Sequence, residues 1–380
     1  MRNGGSQMKL KGTLEHIITS AAAACLVQLP VSTVSAEGGT AQLPEGWLLW
    51  HSYSDYSALD SSLYLRSPDG TVETIRGDFV HAMNGSFGTS PQQITFMAID
   101  ESADEWDIFL RESGNIINLT ENSGFRSEDP KFSPDGRSIV FKRGHWDRAA
   151  DGFVYDLALI DIATREITML TEDLTEEAMP CFSSDGSSIY YAGYNGGIGE
   201  ICRYDIASRS TETIFAEEGV TAYYPVVCGD ELYFTKWFSA EDHSDQIMRY
   251  DGSGIEAMPF DSADYDCSDP CPFEGGMIFS STMDGGYDLY CYDGERVTRL
   301  RELSSDKSDL GADFFPCGSA AAGDVNGDGG FNTADLVLFQ KWLLAVPDAS
   351  LKSTAAADLC ADGILDVFDL CAMRLALIGG

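Results

Sequence analysis

The stretch EDPKFSPDGRSIVFKR, Glu128–Arg143, decides how this chain is read. An apolar run, a turn signal at Asp135-Gly136 and a second apolar run make the pattern of a β-hairpin. The pattern returns as AMPCFSSDGSSIYYAG (Ala178–Gly193). Looser copies are YYPVVCGDELYFTK (Tyr223–Lys236), SDPCPFEGGMIFSS (Ser268–Ser281) and MNGSFGTSPQQITFMA (Met83–Ala98). A third apolar run follows each copy, such as DIFLRES or DLALIDI, and then a short fourth one, such as NIINLT or EITMLT. The unit is roughly 45 residues long. No helical periodicity interrupts it between residues 47 and 318.

Four short strands per unit predict an all-β six-bladed propeller. Pro130, Pro180, Pro225, Pro270 and Pro316 mark five equivalent inner strands, and Gly85 marks the sixth. The chain enters with WLLWHS, SSLYLRS and TVETIRG, three strands lacking an inner one, and leaves with DLGADFFPCG, an inner strand alone. Joining the two ends completes one blade and removes the exposed edges of an open sheet. The unit F-S-P-D-G-x-x-I-x-F resembles the WD40-like (PD40) repeat of TolB-type proteins, which also occurs in prolyl oligopeptidase-like propellers. The resemblance covers about 270 residues by repeat count and implies a fold, since its motif is a turn. No G-x-S-x-G elbow is present, so the hydrolase half of that relationship is not expected.

The 380 residues are 44% hydrophobic, enough for a real core. A formal charge of -37, from 61 acids against 24 bases, argues against nucleic acid and anionic membranes as partners. Residues 1–36 read as an export signal. Arg2, Lys9 and Lys11 precede the apolar run Ile17–Val31, and Val34–Ala36 offers a cleavage site, with Met8 as an alternative start. Gln28 and Pro30 break the run, which is too short to span a membrane, so no membrane span is expected. The expected divisions are 37–318 for the propeller, 319–323 for a linker and 324–380 for a helical module. Most of the ten cysteines sit in strand-like runs and are expected as free thiols, and Cys267 with Cys271 is too sparse for zinc.

In a propeller, the fourth-to-first and second-to-third strand connections share one face. The candidates that this sorting places there include His51, His81, Asp129, His145, Trp146, Trp237, His243 and Asp269. Rings beside carboxylates suit carbohydrate, stacking on sugar faces and bonding hydroxyls. The alternative is that the rings pack over strand edges and the acids are merely solvated. Paired carboxylates or a histidine-held metal could also make the face catalytic, but no spaced motif for either is present.

After residue 323 the character turns helical. In GDVNGDGGFNTADLVLFQKWLL, a calcium loop needs oxygen ligands at positions 1, 3, 5, 7, 9 and 12 with glycine at 6. Asp324, Asn326, Asp328, the Gly330 carbonyl, Asn332 and Asp335 occupy those positions, with Gly329 at the turn. Thirty-four residues on, Asp358, Cys360, Asp362, the Ile364 carbonyl, Asp366 and Asp369 repeat them. The thiol of Cys360 is a poor ligand for a hard cation, so this second site is expected to be weaker. A Cys360–Cys371 disulfide is left open. Two loop-plus-helix units ending in Asp resemble a type I dockerin, as found in gut or rumen cellulose-degrading bacteria. That resemblance implies two bound calcium ions and a scaffoldin cohesin as partner. It implies cohesin contacts at Thr333, Ala334, Val367 and Phe368, supported by Lys341 and Arg374.

Three readings follow, in this order. The first is a secreted, extracellular, cellulosome-associated protein whose propeller binds plant cell-wall polysaccharide or protein. The second is a propeller-fold glycoside hydrolase or polysaccharide lyase. The third is a purely structural propeller for protein assembly.

Overall fold

The computed structural model describes residues 43–379 except 56–57, 78, 101–104, 122, 149–150, 173–175, 196–197, 239–243, 317–321, 327–329, 348, 352–355 and 361–364. The expected export segment, Cys25, Cys317 and most of the expected linker lie outside the described residues.

Alternating apolar residues and Gly- or Asp-rich turns produce strands throughout the described residues up to Pro316. β1 (Gly46–Tyr53), β2 (Ser62–Arg66) and β3 (Val72–Thr74) come first. β4 (Phe79–Phe87), β5 (Gln93–Asp100), β6 (Trp106–Glu112) and β7 (Asn115–Asn118) form an antiparallel meander. The next is β8 (Arg126–Phe132), β9 (Ser138–Asp147), β10 (Gly152–Asp161) and β11 (Ile167–Met169). β12 (Glu176–Phe182), β13 (Ser188–Asn195), β14 (Ile198–Asp205) and β15 (Ser210–Phe215) follow. Then come β16 (Thr221–Cys228), β17 (Glu231–Trp237), β18 (Gln246–Tyr250) and β19 (Ile255–Ala257). A single parallel pair, Gly199 with Thr221, joins these last two sets into one eight-stranded sheet. The last meander is β20 (Cys267–Phe273), β21 (Gly276–Ser281), β22 (Asp288–Tyr292) and β23 (Val297–Arg299). β24 (Ser308–Pro316) then pairs antiparallel with β1, giving the order β24-β1-β2-β3. The incomplete repeats at the two ends thus share one sheet, as their sequences predict.

Successive side chains on each strand point to opposite faces, and both faces are apolar. On β9, Ile139 and Phe141 pack with Ile108 and Leu110 of β6, while Val140 packs with Ile189 and Tyr191 of β13. The opening strands of the sets touch in a closed cycle: β4 meets β8, then β12, β16, β20, β24 and β4 again.

Each of these opening strands slips register at 84–85, 129–130, 179–180, 224–225, 269–270 or 311–312, and β4 slips a second time near its start, between Phe79 and His81. The first residue of each of those six pairs is left-handed: Asn84 (φ 50°), Asp129 (55°), Met179 (53°), Tyr224 (53°), Asp269 (52°) and Gly311 (61°). Because it recurs whatever the residue type, this conformation is a bulge built into the architecture. It also corrects one expectation. Pro316 lies on the right strand but at the wrong register: it ends β24 opposite Gly46, and Ala312 holds the place that proline takes in four other strands. Glycine at 311 supplies the left-handed turn without a following proline.

The C-terminal segment holds α1 (Thr333–Leu343) and α2 (Val367–Gly379). They pack around Val325, Phe339, Ala357, Leu370 and Met373. Cys371 carries a free thiol, so no Cys360–Cys371 disulfide is formed. Among the described residues no helix is long and apolar enough to cross a membrane.

Candidate functional site

The bulges turn a ring of side chains out of the ladders. Asn84, Asp129, Met179 and Tyr224, with Lys131, Pro130, Pro180 and Pro225, line a small cavity. Asn84 Nδ2 donates to Asp129 Oδ1 at 2.7 Å, and the Met179 N–H donates to the same carboxylate. Asp269 Oδ2 accepts the Gly311 N–H at 3.1 Å, and Asp313 Oδ2 accepts the Phe87 N–H at 2.6 Å. Each carboxylate therefore ties its strand to the opening strand of the next set.

Burial pushes the carboxyls of Asp129 and Asp313 up and that of Asp269 up to about 6. The Lys131 ammonium, 3.9 Å from Asp313 and 5.9 Å from the Tyr224 ring centre, opposes the shift at Asp269 and Asp313. His51 stands beside this ring of groups. It stacks on Tyr53 at 5.8 Å, and its Nδ1 accepts the Asn84 N–H at 3.4 Å. Burial lowers its pKa to about 3, so the imidazole is neutral. A Cβ on Gly311 would come within 2.4 Å of its Cε1, which explains glycine there a second time.

Of the face candidates, the structure brings His51, Asp129 and Asp269 together. His81 is one ring removed: it lines a cavity with Tyr53, Asp55 and Trp106, and its Nδ1 has no hydrogen-bond partner. His145 packs edge-on against Phe125 at 5.7 Å, over the strand edge. Trp146 is half exposed and meets Phe153 edge-on, while Trp237 ends β17 opposite Thr221. His145 and Trp146 share β9, whereas Trp237 stands on another sheet. His243 lies outside the described residues.

Sequence reasoning missed Asn84, Lys131 and Asp245. A signal existed for the first, since the residue before the marker proline or glycine is the one turned inward. Asp245 had none. It is buried beside Tyr287, whose hydroxyl donates to Oδ2 at 3.4 Å, and its Oδ1 has no hydrogen-bond partner. Burial, and then the Asp266 charge, raise its pKa to about 8.

The two C-terminal loops are built alike. The Asp335 carboxylate accepts the N–H of Asn326 at 3.1 Å and of Asn332 at 2.9 Å. Thirty-four residues on, the Asp369 carboxylate accepts the N–H of Cys360 at 3.0 Å and of Asp366 at 2.9 Å. Loop position 12 thus holds positions 3 and 9 in both copies. Position 9 also caps the helix: Asn332 accepts from the Ala334 N–H and Asp366 from the Phe368 N–H. Asp324, Asp335 and Asp369 are buried acids, an arrangement that fits a hard cation with oxygen ligands. Burial opposes ionisation of Asp369, but the N–H groups of Asp366 and Cys360 outweigh it and hold the carboxyl below its usual range. Gly330, Asp358 and Cys360 lie within the described part of the loops, whereas Asp328, Asp362 and Ile364 lie outside it. Thr333, Ala334, Lys341, Val367, Phe368 and Arg374 are all exposed on the helices.

Residues 322–377 match the family described as the dockerin type I domain. Type I dockerin domains bind calcium. A stretch of 96 residues, 25% of this chain, is 30% identical to the Tol-Pal system protein TolB of Hydrogenovibrio crunogenus. It spans only 20% of that protein. Among solved structures, TolB from Acinetobacter baumannii aligns with a TM-score of 0.53 at 17% identity, over 71% of this chain and 67% of that one. Hydrazine synthase of Kuenenia stuttgartiensis aligns with a TM-score of 0.59 at 14% identity, over 72% of this chain and 47% of that one. Identities this low speak to the fold alone. The chain carries a C-terminal type I dockerin domain behind a mostly-β region with the propeller-like fold of TolB.

Proposed function

We propose that this protein is a secreted cellulosome component. Its dockerin, residues 324–380, binds a scaffoldin cohesin when calcium is present. Its six-bladed propeller, residues 37–318, presents a face that binds plant cell-wall polysaccharide or protein. The observation that carries the docking half is the duplicated lock at Asp335 and Asp369, where one carboxylate organises loop and helix start alike. Calcium at Asp324, Asn326, Asp328, Gly330, Asn332 and Asp335, and a weaker second ion in the Cys360 loop, would neutralise these buried acids and couple folding to metal. The closed cycle of opening-strand contacts supports six blades.

The test uses the full chain. It should be retained by at least one immobilised cohesin in calcium and released by chelator or by Asp324→Ala with Asp358→Ala. Binding indifferent to both would remove the docking half. The propeller half expects retardation in at least one plant-polysaccharide affinity gel, lost in Trp146→Ala with Trp237→Ala. Free migration through a broad panel would leave only a protein ligand for that face.

A further inference from the structure

The 34-residue repeat allows the two dockerin helices to be compared position by position. On α2 the exposed residues include Val367, Phe368, Cys371, Leu375 and Ile378. At 100° per residue they fall within an arc of about 100°, one continuous stripe. Leu370 and Met373 point the other way, into the packing around Phe339, so the stripe is not needed to hold the helices together. Phe368, Leu375 and Ile378 are 67%, 72% and 81% exposed. A scattered apolar residue needs no explanation, but a contiguous stripe on a chain of formal charge -37 does.

The equivalent positions on α1 are Thr333, Ala334, Val337, Lys341 and Leu344. Three pairs differ in kind: Thr333 against Val367, Ala334 against Phe368, and Lys341 against Leu375. Seating a partner on α1 would bury the Lys341 ammonium within the contact and offer no aromatic anchor. Seating it on α2 buries Phe368 and Leu375 and leaves Arg374 at the stripe's edge, where Gln340 stands on α1.

We infer that the cohesin seats on α2 and not on α1, in one orientation, with Phe368 as its anchor and Cys371 inside the contact. This rests on the dockerin reading, which supplies the occupant: the family match covers both helices up to residue 377.

The experiment titrates the full chain, in calcium, against the cohesin that retains it. Phe368→Asp with Leu375→Asp should weaken binding on the order of thirtyfold or more, the scale of losing an interface hot spot. Ala334→Asp with Lys341→Asp should change it less than about threefold. Acids at 334 and 368 lie near a helix start and are compatible with folding, whereas those at 341 and 375 lie toward the helix ends and oppose the dipole, so calcium-dependent helicity of each variant is the control. Independently, cohesin should slow alkylation of Cys371 in the otherwise native chain, read peptide by peptide. Equal or greater loss from the α1 pair, no loss from the α2 pair, or unchanged alkylation of Cys371 in the complex each overturns the inference while calcium-dependent binding keeps the dockerin reading intact. Failure of every cohesin to bind in calcium overturns both.

Discussion

Replacing Gly311 by alanine should destabilise the strand-rich region by about 3 kcal/mol, from two separate costs. The residue is left-handed, at φ 61°. A Cβ in that conformation costs about 1–2 kcal/mol. The new methyl would also sit 2.4 Å from Cε1 and 2.6 Å from Nδ1 of His51. That ring cannot easily yield, because it is buried, stacks on Tyr53 and accepts the Asn84 N–H. Overpacking of this kind costs about 1–3 kcal/mol. Alanine recovers roughly 0.4–1 kcal/mol by restricting the unfolded chain. The control is Gly219→Ala, where φ is 78° but no atom lies within 4 Å of the added Cβ, so it carries the backbone cost alone. Calorimetry on the full chain should show the Gly311 variant melting about 6 °C below the wild type, taking roughly 2 °C per kcal/mol for a region of this size. The Gly219 variant should drop by about 2 °C on the same scale. If the two variants melt together, His51 is not packed against Gly311 and the geometry of the central group is wrong.

Lowering the pH from about 8.5 to 5 should stabilise the strand-rich region. Asp245, Asp261 and Asp269 have carboxyls raised to about 8, 7 and 6, each chiefly by burial. In that window the folded state holds protons that the unfolded state has released, so stability falls as pH rises, by at most about 1.4 kcal/mol per pH unit for each group. Urea unfolding followed at a strand-specific signal checks the sign, and a midpoint that rises with pH would contradict it. Lys142→Met should cost about 3 kcal/mol or more, because the buried ammonium bridges Glu128 at 3.3 Å and Glu176 at 3.1 Å. Adding Glu128→Gln should restore part of that loss in the same melt. Phe339→Ala, at the fully buried centre of the two C-terminal helices, should cost about 3–5 kcal/mol. Its far-UV helical signal in calcium should fall toward that of chelator-treated wild type.

Much of the architecture was legible in linear patterns. Alternating apolar residues set the strands, and Asp135-Gly136 and Asp185-Gly186 fall in the turns after β8 and β12, where the glycines take φ 69° and 71°. The unmatched strands at the two ends foretold the pairing of β24 with β1. The marker prolines named four of the bulges, but Pro316 misled, because a bulge requires a left-handed residue and not a proline. The central group was legible only in part. Asp129 and Asp269 were placed on one face by their fourth-to-first strand connections, while Asn84 and Lys131 matter only through what the neighbouring strands bring to them. His145 and Trp146 lie on β9, where their rings pack against Phe125 and Phe153, contacts that a linear pattern does not display.

By itself the sequence determined what is local or periodic: the strand repeat, its closure by shared ends, and the two calcium loops, each written within twelve residues. Hydrophobic period, turn chemistry and ligand spacing act over such short distances that they survive in one dimension. The tertiary structure alone decided which polar groups meet. Asn84 with Asp129, Asp269 with Gly311, and Phe87 with Asp313 are 45, 42 and 226 residues apart. Only the ring of opening strands sets such distances, and burial within it raises the carboxyl of Asp269.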